Sequence, residues 1–95
     1  MVSRESVVRA TDNQVSADLS GAVVVLHMKD GLYYQLNDVG AQVWKEICEA
    51  PRQVGDLVRS IVNEFDVEEA RCEADVVALL EDMLKRGLVE IAEHR

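Results

Sequence analysis

The hydrophobic pattern of the chain changes period once, near Asn37, and this change limits the folds that the chain can adopt. Before Asn37, apolar side chains alternate with polar ones or form short β-branched runs, which is typical of strands. After Asn37, they recur at spacings of three and four residues, which is typical of amphipathic helices. Strands followed by helices in a chain of 95 residues predict a single small α+β domain.

Three strands are predicted before the change of period. Residues 15–20 alternate, and residues 22–28 form a run rich in β-branched side chains. Asp30 and Gly31 form a hairpin signal, because glycine tolerates a positive φ, and a third strand follows over residues 31–36. Together they predict a three-stranded antiparallel meander.

Three helices are predicted after the change of period. The first begins at Asn37 and ends before Pro51, and the second covers about residues 53–65. The third covers about residues 67–86, with Asp66 and Glu69 as a capping box, and a short strand or extended tail over residues 88–92 follows. The predicted fold is a winged helix-turn-helix, with the three-stranded antiparallel sheet packed against the three helices.

The domain is expected to cover residues 14–92. Residues 1–13 show no clear period and are expected to form an N-terminal arm that is loose or flexible, with Val7 and Val8 as its candidate packing residues. The chain has neither an apolar run long enough for a membrane span nor a signal-peptide pattern, and both cysteines fall in helical patterns. These features predict a cytoplasmic protein with reduced thiols.

Composition and motifs argue against several classes of function. The net charge of −8 and the scattered basic residues disfavour nucleic acid, whose affinity depends on clustered lysine and arginine. The two histidines lack partners at catalytic spacing, and no phosphate-binding loop or metal-binding motif is present. The sequence therefore predicts a protein that is not an enzyme and that uses no cofactor or metal.

The third helix carries apolar residues over an unusually wide arc. Two stripes, Val77-Leu80-Leu84 and Cys72-Val76-Leu79-Met83, lie about 110° apart around the axis. Either both stripes are buried, or one is left as the wall of a groove for a partner. The third predicted strand would supply the other wall: Leu32, Tyr34 and Leu36 face the core, Tyr33 and Gln35 face away, and a free strand edge could accept an added peptide strand.

Two segments carry a resemblance to a known family. VVVLHMKDGLYYQLNDVGAQVWKEI, which includes Gly40 and Trp44, and DVEEARCEADVVALLEDMLKRGLVEI, which ends in Arg86-Gly87-Leu88-Val89, resemble the PqqD-like family of RiPP recognition elements. These are small winged helix-turn-helix domains of ribosomal peptide biosynthesis. The resemblance covers roughly residues 14–92.

The resemblance implies a non-catalytic module that binds the leader segment of a precursor peptide and presents it to a modifying enzyme. The leader would add as a strand to residues 32–36 and pack against the third helix. The implied peptide-binding residues are Leu32, Tyr33, Tyr34, Gln35, Leu36, Asp75, Val76, Leu79, Leu80, Asp82 and Met83. The two aspartates of the helix would contact polar or basic leader groups. The enzyme would be the leader protease and cyclase of a lasso peptide system, which the QLN-x-x-G-x-x-x-W run favours, or a radical SAM enzyme, as in pyrroloquinoline quinone synthesis.

Two other functions stay open at the level of the sequence. A winged-helix DNA-binding regulator would share the topology, but Glu68, Glu69, Glu73 and Asp75 at the start of the third helix would face phosphates. A homodimer would fill the same groove with a second copy of the chain.

Overall fold

The computed structural model describes residues 2–12, 14–19, 22–29, 31 and 33–93. Its strands are β1 (Val7–Ala10), β2 (Gln14–Leu19), β3 (Ala22–His27), β4 (Tyr33–Asn37), β5 (Arg52–Gln53) and β6 (Val89–Glu93). Its helices are α1 (Asp38–Glu49), α2 (Val54–Glu64) and α3 (Glu69–Lys85). The α+β fold and the three predicted helices are confirmed.

The first sheet is the predicted meander, with strand order β2-β3-β4 and antiparallel pairing throughout. Its inner face carries Val23, Val25 and Leu36, which are buried in the core. Its other face is called the outer face from here on. The outer-face residues whose side chains the structure describes are Val15, Ala17, Leu19, Ala22, Val24, Leu26, Tyr33 and Gln35.

A second sheet, of order β5-β1-β6, was not anticipated, and it differs from the expected loose arm over residues 1–13. β1 lies in the centre of this sheet, where Val8 pairs with Arg52 on one side and Ile91 on the other. The side chain of Val8 is completely buried, so β1 is part of the core. The pattern could not reveal this strand, because it is four residues long and its partners lie more than 40 residues away.

Residues before β1 cap the start of α2. The backbone N–H groups of Val54 and Gly55 donate to the carbonyl oxygens of Ser6 and Arg4, at 2.9 and 3.0 Å. The N-cap residue of α2, Gln53, makes no side-chain capping bond, so these carbonyls satisfy donors that a helix leaves open at its N-terminus. The arm is thereby fixed to the domain.

The same segment also reaches α3. The Arg4 guanidinium forms ion pairs with Glu69, at 3.2 Å, and with Glu73. Glu69 therefore does not complete the predicted capping box with Asp66: α3 begins at Glu69 itself, and its N-cap residue is Glu68, without a side-chain bond. The predicted capping box is therefore not formed, and the Glu69 side chain pairs with the arm instead.

The core lies between the inner face of the first sheet, the three helices and the second sheet. Its largest fully buried side chains are Trp44, Ile47, Leu57, Ile61, Leu80, Met83 and Leu88. On α3, the buried line runs through Cys72, Val76, Leu80 and Met83, while Val77, Leu79 and Leu84 flank it and are partly buried. Most of the wide apolar arc of α3 is thus used by the core.

Candidate functional site: a strand edge beside an apolar pocket

The site begins at β4, whose outer edge is open. Within the described strands, β4 pairs with β3 alone, so one edge of the strand has no ladder partner. Such an edge presents backbone N–H and C=O groups that can accept a further strand. The strand runs directly into α1 at Asp38, whose φ of 49° makes a sharp turn without a loop. This turn sets the end of β4 against the first turn of α1.

A polar cluster joins the start of β4 to the last turns of α3. The Tyr34 hydroxyl donates a hydrogen bond to Asp82 Oδ2 at 2.5 Å. The Arg86 guanidinium lies 5.4 Å from the centre of the Tyr34 ring, and its Nε is 3.5 Å from Asp82 Oδ1. Partial burial, and then the hydrogen bond to Asp82, raise the pKa of Tyr34 to about 12. The same hydrogen bond is the main cause that lowers the pKa of Asp82, and Arg86 adds to it.

A glycine brings three elements together at the other end of β4. A Cβ atom on Gly40 would lie 3.3 Å from Leu36 Cδ2 and 3.7 Å from Leu79 Cδ2. The absence of a side chain at this position therefore allows β4, α1 and α3 to approach each other closely. Leu36 and Leu79 both lie against this position, so apolar side chains of the strand and of the helix meet at Gly40.

An apolar pocket of about 330 Å³ opens from this point between α1, α2 and the first half of α3. It is lined by Val39, Gly40, Ile61, Val67, Arg71, Cys72, Asp75, Val76 and Leu79. The exposed side chains of Arg71 and Asp75 lie 3.9 Å apart on this wall and supply its charges. The arrangement suits apolar side chains of a ligand, with one cation and one carboxylate to orient polar groups.

The structure brings many of the predicted site residues together. Asp75, Val76 and Leu79 line the pocket, Leu36 borders it, and Tyr34 and Asp82 form the polar cluster. Tyr33 and Gln35 are exposed on the outer face, as expected for strand alternation. Leu32 lies outside the described residues.

Two predicted residues do not fit a groove wall. Leu80 and Met83 are completely buried in the core, so a ligand at the surface has no access to their side chains. The α3 residues that line the pocket lie between Arg71 and Leu79, so the pocket ends before Leu80 and Met83. Leu80 and Met83 support this wall from behind.

The site also contains residues that the sequence pattern did not indicate. Val39, Val67 and Arg71 line the pocket, and Arg86 covers the Tyr34 ring. The position of Gly40 inside a helix was itself a signal of close packing, because helix interiors disfavour glycine unless close packing requires it. The spacing of Asp82 and Arg86, four residues apart on α3, was the signal for their pairing.

In the part of the chain that the structure describes, no group of three or more His, Cys, Asp or Glu side chains could hold a metal ion. Nor does any helix of that part have the length and apolarity needed to cross a membrane.

Comparison with known proteins identifies what the chain is similar to. The sequence model of the family described as coenzyme PQQ synthesis protein D (PqqD) matches residues 22–89, which is more than half of the chain. No curated protein matches the chain.

Two solved structures share the fold. One is TbiB1 in complex with the TbiA(beta) leader peptide, with 29% identity and a TM-score of 0.79, covering 86% of this chain and 94% of that one. The other is a lasso peptide synthetase B1 complexed with the leader peptide, with 24% identity and a TM-score of 0.76, covering 87% of this chain and 96% of that one.

Proposed function

The chain belongs to the PqqD family, and we propose that it is a RiPP recognition element: a non-catalytic module that captures the leader segment of a ribosomal precursor peptide. The leader adds as a strand to the free edge of β4, over residues 32–36, and places side chains against α3. The captured precursor is then presented to a modifying enzyme. The protein acts in the cytoplasm, where ribosomal precursors are made.

The observation that carries this proposal is the open edge of β4 beside an apolar pocket. In strand addition, main-chain hydrogen bonds supply affinity, and pockets for alternate side chains supply specificity. The site offers both elements, because Leu36 of β4 borders the pocket that Leu79 lines. The likeness to TbiB1, which was solved with a leader peptide, supports the same use of the site.

Charge adds a preference for the ligand. The chain carries a net charge of −8, and Asp75 and Asp82 lie on the α3 side of the site. An acidic surface attracts basic ligands at long range. We therefore expect a leader with apolar side chains at alternate positions and with lysine or arginine near them.

The lasso peptide pathway is the favoured setting. Its modifying enzymes are a leader protease and an ATP-dependent cyclase, and this assignment is supported by the fold that the chain shares with a lasso peptide synthetase B1. A partner role beside a radical SAM enzyme is the alternative within the same family. DNA binding is disfavoured by the exposed carboxylates Glu68 and Glu69 at the start of α3 and by the net charge.

Calorimetric titration with synthetic leader peptides tests the proposal. Peptides from lasso and from pyrroloquinoline quinone pathways are titrated separately into the full chain, and amide NMR shifts locate the contact. Shifts centred on residues 33–36 and 75–79, with one class of leader, would support the site and name the pathway. Shifts with no peptide would leave the family membership standing and overturn the leader-binding function.

The binding mode is tested by substitutions in the protein and by changes in the peptide backbone. Leu79→Asp should weaken binding by at least about tenfold, whereas Ala78→Asp, a neighbouring exposed residue of α3 with the same added charge, should not. Circular dichroism checks that both variants are helical. A peptide N-methylated at the amides that pair with β4 should lose binding, while one methylated at the intervening amides should retain it. Equal effects of the two methylation patterns would contradict strand addition.

A further inference from the structure

Residues 2–6 of the N-terminal arm, called the brace from here on, lie along one flank of α3. Arg4 donates through its guanidinium to two carboxylates that are one helical turn apart, and the backbone N–H of Val2 donates to a third carboxylate at 3.3 Å. These acceptors are, in order, Glu69, Glu73 and Glu81. The brace therefore contacts α3 from its first turn to its last third.

The brace also holds the helix that precedes α3. Its carbonyl oxygens accept hydrogen bonds from the N–H groups of Val54 and Gly55, at the start of α2. Both α2 and the link that joins it to α3 contribute to the apolar pocket, through Ile61 and Val67. The brace thus fixes two elements of the pocket wall to each other without being part of that wall.

The brace and the pocket lie on opposite flanks of α3. At about 100° per residue, Glu73, which pairs with the brace, and Asp75, which lines the pocket, are about 160° apart around the axis. The same angle separates Glu81 from Leu79. The buried line of α3 runs between the two flanks, through Cys72, Val76, Leu80 and Met83.

This arrangement determines what can move when a peptide enters the pocket. Packed helices can shift or rotate by about 1–2 Å against their neighbours. A rotation of α3 about its buried line would move Asp75 and Leu79 relative to β4, and the peptide contacts only that flank. The brace restrains the opposite flank. A wall that is already held in place binds more tightly, because less ordering is left for the binding step.

Arg4 is the residue on which the brace depends most. A single exposed ion pair contributes little to stability. The Arg4 guanidinium, however, bridges two carboxylates, and the backbone carbonyl of the same residue accepts from the Gly55 N–H at 3.0 Å. One residue therefore joins α2 to α3. The planar fork of arginine suits two acceptors at once.

We propose that the brace positions α3 for leader recognition, with Arg4 as the positioning residue, so that closure of the brace and binding of the leader favour each other. This inference rests on the proposed function, because it concerns the same site. Arg4 acts through α3 and does not touch the peptide. Since coupling between two sites is reciprocal, the leader must also stabilise the closed brace.

The first test is the leader affinity of Arg4→Gln, measured by calorimetry with a synthetic leader peptide that the wild type binds. Arg9→Gln is the matched control, because it removes the same charge and an ion pair with Glu90 on the second sheet. Arg4→Gln should bind the leader about threefold more weakly or worse, as substitutions that alter coupling do, and the control should keep wild-type affinity. Circular dichroism checks that both variants are folded.

The sign of the change separates positioning from charge. Loss of a cation leaves the chain more acidic, so a purely electrostatic role of Arg4 would raise the affinity for a basic leader. Affinity of Arg4→Gln that is unchanged or higher would overturn the inference. An equal loss in Arg9→Gln would do so too, because that ion pair lies outside the brace.

The second test needs no substitution. The amides of Val54 and Gly55 report on the brace directly, since brace carbonyls are their acceptors. Hydrogen exchange of the wild type is followed by NMR with and without leader, and the Thr11 amide, bonded to the Leu88 carbonyl at 3.0 Å, is the reference. Leader should slow exchange at Val54 and Gly55 more than at Thr11.

Equal slowing of all three amides is what general stabilisation by a ligand produces, and it would overturn the inference while leader binding stands. A wild type that binds no leader would overturn the proposed function, and this inference with it. The two failures are therefore distinguishable.

Discussion

The Tyr34 hydroxyl and the Asp82 carboxylate, 2.5 Å apart, join β4 to α3 by a side-chain hydrogen bond. This bond spans 48 residues of sequence and fixes the distance between the strand edge and the helix that together form the site. Arg86 closes the cluster by stacking over the ring. The width of the site is therefore set by a polar contact at one end and by Gly40 at the other.

Tyr34→Phe should lower the free energy of unfolding by about 1–2 kcal/mol, because a hydrogen bond to a charged acceptor is lost while the ring is retained. Urea denaturation of both proteins measures the difference. Tyr33→Phe is the control, since Tyr33 is exposed and lies on the opposite face. An equal loss in both variants would show that the Asp82 contact is not the cause.

The same pair predicts how stability depends on pH. The folded-state pKa of Tyr34 is raised to about 12, so its contribution is present below the pKa of an unfolded tyrosine, near 10, and is lost between about pH 10 and 12. The pKa of Asp82 is lowered, so its contribution is present above the unfolded value of 3.8 and is lost as the pH falls through the folded value. Stability curves of Tyr34→Phe should be flatter at both limits, and curves parallel to the wild type would contradict the assignment.

Gly40→Ala should impair the site more than the fold. The new methyl group would lie 3.3 Å from Leu36, which must move, although alanine is favoured over glycine in helices by up to about 1 kcal/mol. Stability should thus change little, whereas leader affinity falls as the gap between Leu36 and Leu79 closes. Gly55→Ala, which meets the flexible side chain of Arg4 instead, is the matched control and should retain wild-type affinity.

A chain that begins at residue 14 should fail to fold cooperatively. It lacks β1, the central strand of the second sheet, and with it the buried side chain of Val8 and the carbonyl groups that cap α2. Thermal unfolding followed by circular dichroism measures the outcome. Arg9→Ala is the comparison: its ion pair with Glu90 is exposed, so this variant should lose less than about 1 kcal/mol. A cooperative transition in the truncated chain would show that residues 1–13 are a dispensable arm.

Trp44→Ala should lower the free energy of unfolding by about 3–5 kcal/mol, as large-to-small core substitutions do. Trp44 is 1% exposed, and its indole Nε1 has no hydrogen-bond partner in the described structure, so packing is its contribution. The melting temperature reports the loss directly. A variant that melts at the wild-type temperature would refute the core assignment.

The sequence predicted those parts of the fold that depend on local periodicity. Alternation, a β-branched run and the Asp30-Gly31 turn signal indicated the strands of the β2-β3-β4 meander, and α2 carries a single clean stripe, so both were found. β5 has two residues and β1 has four, which is too short for a period to be detected. Their pairing is decided by distant segments, and no local pattern encodes that choice.

The candidate site was predictable at the level of elements rather than side chains. Alternation correctly separated Tyr33 from Tyr34, because successive strand residues face opposite sides. On α3, the pattern gave an apolar arc but not its boundary with the core, so Leu80 and Met83 were expected at a surface that they do not reach. The part of the apolar arc of α3 that the core covers depends on where the neighbouring elements lie. In this chain, Gly40 and the N-terminal arm set the positions of those elements.

The place of β1 between β5 and β6 also governs when the domain is complete during its synthesis. β1 is synthesised before both of its partners: the two-residue β5 follows more than 40 residues later, and the main partner of β1 is β6, at Val89–Glu93. Until those residues emerge, Val8 has no finished sheet to enter, although the meander and the helices already have their partners. A nascent chain stalled before residue 89 would thus display the β4 edge while its own core stays open. Closure of the fold, and with it full resistance to proteases, is expected only once Val89–Glu93 are available for pairing.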